Sequence, residues 1–195
     1  MGAKIFLVDE SAQRRAQITY GLRDTAMHVE PFASFHDVLA YPGKSAPDAV
    51  VLIHDTEREM VELVAGMRRG NCWFAHIAYS SEPSVRRVVA ALSGGAIGYL
   101  SLPFEPEELE SMIADNADRI ARQHRAAEAR SRIEKLTSRE RDVLAGVAEG
   151  LSNRAIADRL AISARTVEIH RANLLRKIEV PHTFGAIRVA IEAEY

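Results

Sequence analysis

The sequence predicts an α/β chain in two parts. Residues 1–120 form a five-stranded, doubly wound parallel sheet, and residues 136–195 form an all-α module. A helical linker at 121–135 joins them. Three observations carry this reading. Short apolar runs alternate with helical patterns through the first half, as parallel sheets require. A long stretch follows without glycine or proline. The last sixty residues then carry helix-capping residues at close, regular intervals.

The strands come from apolar runs. Ile5–Val8, Ala49–Ile53, Trp73–Tyr79 and Ala96–Leu100 are short and rich in β-branched or aromatic residues, as buried parallel strands are. The weaker stretch Met27–Phe32 supplies a fifth strand. Between them, Ser11–Leu22, Glu57–Arg69 and Pro83–Leu92 read as helices. Another helical pattern starts at Glu105, with Leu109, Met112, Ile113, Ala117 and Ile120 as its apolar stripe. The stripe fades over Arg122–Lys135, which reads as a solvated helix; its heptad positions hold alanine and charges, so a coiled-coil stalk is the lesser alternative.

Bulk composition excludes more than it assigns. The 195 residues carry a net charge of −2. From Leu136 onward there are 9 basic against 8 acidic residues, so only a local face is cationic. A single cysteine, Cys72, cannot form an internal disulfide; beside Trp73 it reads as a core residue, and a reducing cytoplasm is the expected compartment. No stretch has membrane-span length. Seven scattered histidines lack zinc-ligand spacing, and no nucleophile elbow or glycine-rich phosphate loop occurs, so no enzyme is expected.

The carboxyl-terminal module is the most informative stretch. Thr137-Ser138-Arg139-Glu140 has the form of a capping box opening a helix that buries Val143, Leu144 and Val147. Gly150 ends that helix where a left-handed cap is needed. Ser152 caps a short second helix with Ile156 and Leu160 inward, Ala161-Ile162 makes a tight turn, and Ser163 caps a third helix to about Lys177. In that third helix Val167, His170, Leu174 and Ile178 share the inward face. Arg165, Glu168, Ile169, Ala172 and Arg176 lie opposite. Small side chains at the centre with cations at the rim suit a helix lying in the major groove of double-stranded DNA. An amphipathic core helix with a solvated face shares this pattern; the agreement of caps, short second helix and tight turn favours DNA.

The runs Leu136–Leu144, Gly150–Ala157 and Ser163–Leu174 closely resemble the LuxR/NarL-type DNA-binding domain, within it the FixJ-like branch, over about 60 residues without a gap. The resemblance implies a four-helix domain that binds a two-fold promoter site as a homodimer. The last helix, near Phe184–Ala193, would supply the dimer contact. It implies Glu168, Ile169 and Ala172 at base-facing positions, and Thr166, Arg171, Asn173 and Lys177 at phosphates.

The first 120 residues resemble the receiver (flavodoxin-like) domain of two-component response regulators. Asp9-Glu10 look like that family's Mg²⁺-holding acidic pair, a suitable donor set for a hard cation. Ser80 matches its hydroxyl, Tyr99 its switch aromatic, and Pro103-Phe104 the pair after the fifth strand. Two positions depart. Counted from Pro47-Asp48, the phosphoacceptor aspartate falls on Ile53, with His54 and Asp55 one and two residues late; the family's lysine is Leu102. Phosphoryl transfer needs a nucleophile and neutralising cations. The expectation is an atypical receiver-like domain that works without aspartyl phosphorylation and supplies dimerisation or a docking surface. Two alternatives stand: a regulator acting mainly through a protein partner bound to this domain, and a switch using Asp55 and Mg²⁺.

Overall fold

The computed structural model describes residues 3–42, 49–70 and 72–193. Pro47-Asp48, the anchor of the strand count, lie outside the described residues. The chain divides into two compact units, Met1–Ala121 and Arg122–Tyr195.

The first unit is a five-stranded parallel sheet in the order β2-β1-β3-β4-β5. Its strands are β1 (Lys4–Val8), β2 (His28–Phe32), β3 (Ala49–His54), β4 (Ala75–Ser80) and β5 (Gly98–Ser101). Side chains alternate across the sheet, so β1 divides itself between two cores. Ile5 and Leu7 join Leu52, Ile77 and Leu109 on one face; Phe6 and Val8 join Val51, Ile53 and Phe35 on the other. Burial on both faces explains why the central strands are largely apolar, with His76 and Ser80 of β4 as buried polar exceptions. Pro31 is tolerated because β2 is an edge strand, where a missing N–H breaks no ladder.

Around the sheet run α1 (Ala12–Gly21), α2 (Phe35–Ala40), α3 (Glu57–Arg69), α4 (Val85–Ser93) and α5 (Pro106–Asp115). Sequence reading missed α2. Its six residues are too short for a periodicity argument, although Ser34 and Asp37 close a full capping box at its start. Strand order reverses at β1, so the carboxyl ends of β1 and β3 open a crevice at the switch point, where such folds place their sites.

The pattern from Glu105 is two helices, not one. Asn116 leaves helical geometry, and α6 (Ala117–Glu134) follows. Ile120 completes a core of the first unit, while Ile133 packs against the core of the second. The expected solvated helix is corrected: Ala126 and Ala129 are buried, so alanine here permits close packing.

The second unit continues with α7 (Ser138–Ala148), α8 (Asn153–Leu160), α9 (Ala164–Lys177) and α10 (Thr183–Ala193). Thr137 closes its capping box with Glu140, and Gly150 adopts φ +78°. Ala161, at φ 54°, makes the left-handed step between α8 and α9. Val143, Leu144, Val147, Ile156, Val167, Leu174 and Ile178 form one core. Among the described residues, no helix is long and apolar enough to cross a membrane.

Candidate nucleic-acid interface

Helix α9 lies across the second unit with one face inside and one outside. Val167, Leu174 and Ile178 are buried, and His170 is half-buried on the same side. Arg165, Glu168, Ile169, Ala172 and Arg176 are exposed. Ile169 is 50% exposed within that face. Ser163 caps the helix and exchanges a 2.8 Å hydrogen bond with the Thr166 hydroxyl, which leaves the amino-terminal N–H groups ordered at the surface. Glu168 holds a 2.9 Å ion pair with Arg165. Both groups are exposed, so the pair is weak and yields readily to a base or phosphate.

Other expected phosphate contacts are already engaged. Arg171 donates to Asn153 Oδ1 at 2.5 Å and Thr183 Oγ1 at 2.7 Å, bracing the starts of α8 and α10 against α9. A guanidinium has five N–H donors, so three remain. Lys177 pairs with Glu140 Oε2 at 2.7 Å. Burial pushes the Glu140 carboxyl up, but Lys177 and the Thr137 N–H together outweigh it and hold the carboxyl below its ordinary range. The structure therefore gives Lys177 an architectural position, tying the end of α9 to the start of α7. Asn173 accepts from Arg176 at 3.3 Å.

In the first unit the crevice holds three buried carboxylates, Asp9, Asp55 and Glu59, and the first two each have an arginine partner. Asp9 is fully buried. Its Oδ1 accepts from the Ser11 N–H at 2.7 Å and from Arg14 Nη2 at 2.8 Å. Its Oδ2 accepts from Arg14 Nε at 2.7 Å and from the Tyr79 hydroxyl at 2.5 Å. Burial raises the carboxyl's pKa; Arg14, Tyr79 and Ser11 overcome that and hold it below the usual carboxylate value. Burial and Asp9 push the Tyr79 phenol far up, so it stays a donor. Asp55 accepts from Tyr99 at 2.6 Å and from Arg87 Nε at 3.0 Å, both on Oδ2. Burial first, then Asp55, pushes the Tyr99 phenol up to about 12.

These placements correct the count from Pro47-Asp48. Val8 pairs with Ile53, so Ile53 points into the core, fully buried, and lines no crevice. The groups at the strand end are His54 and Asp55. His54 lies 3.6 Å from Glu59, and Asp55 lies beside the end of β4 through its N–H to Tyr79 O. Ser80 is buried at that end, and Leu102 packs against the core. Glu10 is exposed and does not join Asp9; Asp9, His54 and Glu59 come within 4.8 Å of one another instead.

That set does not fit Mg²⁺. A carboxylate offers about four acceptor positions, and four donors fill those of Asp9. The Arg14 guanidinium already supplies the cation, and His54 is a poor ligand for a hard ion. Sequence reasoning missed Arg14, Glu59, Tyr79 and Arg87. Only Arg14, five residues after Asp9 in the first turns of a helix, left a readable signal.

Residues 134–190 match the family model described as "Bacterial regulatory proteins, luxR family". The chain is 30% identical over 195 residues to the transcriptional regulatory protein FixJ of Bradyrhizobium diazoefficiens, covering 97% of this chain and 95% of that protein. The chain belongs to the LuxR family, as a FixJ-like response regulator. FixJ of Rhizobium meliloti is likewise 30% identical, over 96% of this chain and 94% of the relative. The crystal structure of full-length FixJ from B. japonicum superimposes with a TM-score of 0.51 at 28% identity, covering 98% and 97% of the two chains. As a member of this family the chain is a DNA-binding transcription regulator: a receiver-like sheet followed by the family's helix-turn-helix.

The engaged Asp9 carries a pH consequence. A carboxyl held below its unfolded value near 3.9 contributes stability that is fully present above that value and lost as pH falls through its folded one. Thermal melts are expected to show the first unit losing stability below about pH 4. The loss is steeper than in Asp9→Asn, which has no such carboxyl to protonate.

Proposed function

We propose that this FixJ-like regulator binds a two-fold promoter site as a homodimer without waiting for aspartyl phosphorylation, in the cytoplasm and without an enzymatic activity of its own. One observation carries the reading: Asp9 has its acceptor positions filled by Arg14, Tyr79 and the Ser11 N–H, so the acidic crevice holds a permanent cation. Asp55, at the strand end, is likewise ion-paired to Arg87 and bonded to Tyr99, and Leu102 brings no cation for a phosphoryl oxygen.

Acetyl phosphate with Mg²⁺ is expected to add no phosphoryl group by mass spectrometry, and DNA affinity measured before and after is unchanged. A modified Asp55 with tighter DNA binding would instead establish the phosphorylation switch.

At the DNA, Glu168, Ile169 and Ala172 face base edges, Glu168 accepting from a cytosine amino group. Arg165, Thr166, Arg176 and the remaining donors of Arg171 take phosphates. The dimer contact falls on α10, where Phe184 is 74% exposed and shares a face with Ile187 and the exposed Ile191. Arg171→Ala is expected to weaken binding to all sequences alike and to reduce the salt slope by about one. It also lowers the melting temperature, because Asn153 and Thr183 lose their brace. Glu168→Ala is expected to change which site is preferred, read by binding selection on random duplexes.

A further inference from the structure

Between α3 and α4 runs a groove of about 1220 Å³ that the DNA-reading function leaves unused. Its lining is largely apolar: Met60, Val64, Ala65 and Ala91, with Ala90 at the exposed edge. The apolar surface continues onto the rim through the exposed Val61. Four guanidiniums, from Arg68, Arg69, Arg86 and Arg87, surround it against two carboxylates, Asp55 and Glu57. Arg68, Arg69 and Arg86 have no ion-pair partner among the described residues.

Unpaired guanidiniums beside exposed aliphatic side chains are complementary to one kind of occupant, an apolar body carrying a negative charge. The length fits as well: α4 has nine residues and is about 13 Å long, close to an extended medium-chain acid.

We propose that the α3–α4 groove binds a small anionic amphiphile, a carboxylate or sulfonate with an apolar body, with its charge held by the arginine rim. The inference goes beyond DNA reading and does not depend on how Asp55 is used by phosphate chemistry. It gives the site a route to the rest of the unit. Arg87 is both a groove residue and the partner of Asp55 Oδ2, the same oxygen that accepts from Tyr99. An anion at that end competes with Asp55 for Arg87 and so changes the charge around the oxygen that Tyr99 bonds.

Calorimetric titration of the full chain with sodium decanoate, below its micelle concentration, tests this. Saturable one-to-one binding is expected, with none for decyltrimethylammonium, which has the same tail and the opposite charge. Arg86→Glu and Arg68→Glu lie on helix surfaces and weaken decanoate at least about tenfold, equivalent to about 1.4 kcal/mol. Ala90→Trp fills the groove from an exposed position and removes binding. The ring resonances of Tyr99 shift on saturation. Absence of saturable binding, equal binding of the cation, indifference to these variants or an unmoved Tyr99 would overturn the proposal. So would self-association of the wild type through this face, detected by sedimentation and lost in Ala90→Trp, because the groove's occupant is then a second copy.

Discussion

Ala172→Glu is expected to abolish site-specific DNA binding while leaving the second unit folded. Ala172 sits at the centre of the exposed face of α9, between Glu168 and Arg176. Alanine and glutamate are both good helix formers, and an exposed substitution of this kind shifts stability by about 0.5 kcal/mol or less. At the interface the change is severe. A longer side chain lifts the helix from the base edges, and a second carboxylate beside Glu168 meets the phosphates. Like-charge juxtaposition across an interface costs several kcal/mol, so affinity falls on the order of a hundredfold or more. Fluorescence anisotropy with a selected duplex, alongside a thermal melt, separates the two effects. Retained affinity would place the reading face elsewhere.

Arg14→Ala is expected to damage the first unit more than any other single removal of a charged group there. It takes two hydrogen bonds from a fully buried carboxylate and leaves the charge with only Tyr79 and Ser11. Removing one partner of a buried ion pair costs about 3–5 kcal/mol; Arg14 is partly exposed, and the lower end applies. For a unit of this size that is on the order of 10 °C in melting temperature. Asp9→Asn combined with Arg14→Ala is expected to recover part of the loss, because no uncompensated charge remains. A double-mutant cycle by chemical denaturation measures it. The same pair of variants bears on metal binding. With Arg14 gone, the Asp9 oxygens are open to a cation, so Mg²⁺ is expected to stabilise Arg14→Ala and leave the wild type unchanged.

What could be read from the sequence was local. Thr137 with Glu140, Gly150, Ser152 and Ser163 are capping signals whose geometry is set within four residues, and each stands where the sequence placed it. The buried strands announced themselves as apolar runs, because a parallel sheet covered on both faces leaves no polar alternation. The two cores of the first unit follow from the same period of two. The site was less legible because its partners are distant in sequence. Tyr79 reaches Asp9 across 70 residues and Tyr99 reaches Asp55 across 44. Lys177, expected at DNA, meets Glu140 from 37 residues away. The Ile53 count failed for a related reason. Loop length does not set where β3 ends; pairing of Val8 with Ile53 does, and it carries His54 and Asp55 to the crevice. The buried alanines of α6 look identical in sequence to solvent-facing ones, because alanine suits both.

On the reading proposed above, the outward face of α9 binds DNA in the unmodified protein. Footprinting of the intact chain on duplexes enriched from a random pool, at physiological salt with a chelator and no phosphodonor, tests it most directly. Protection of a two-fold symmetric site is expected, and it disappears in Ala172→Glu. Protection that arises only after acetyl phosphate and Mg²⁺ are added, or none above the non-specific background, would contradict it.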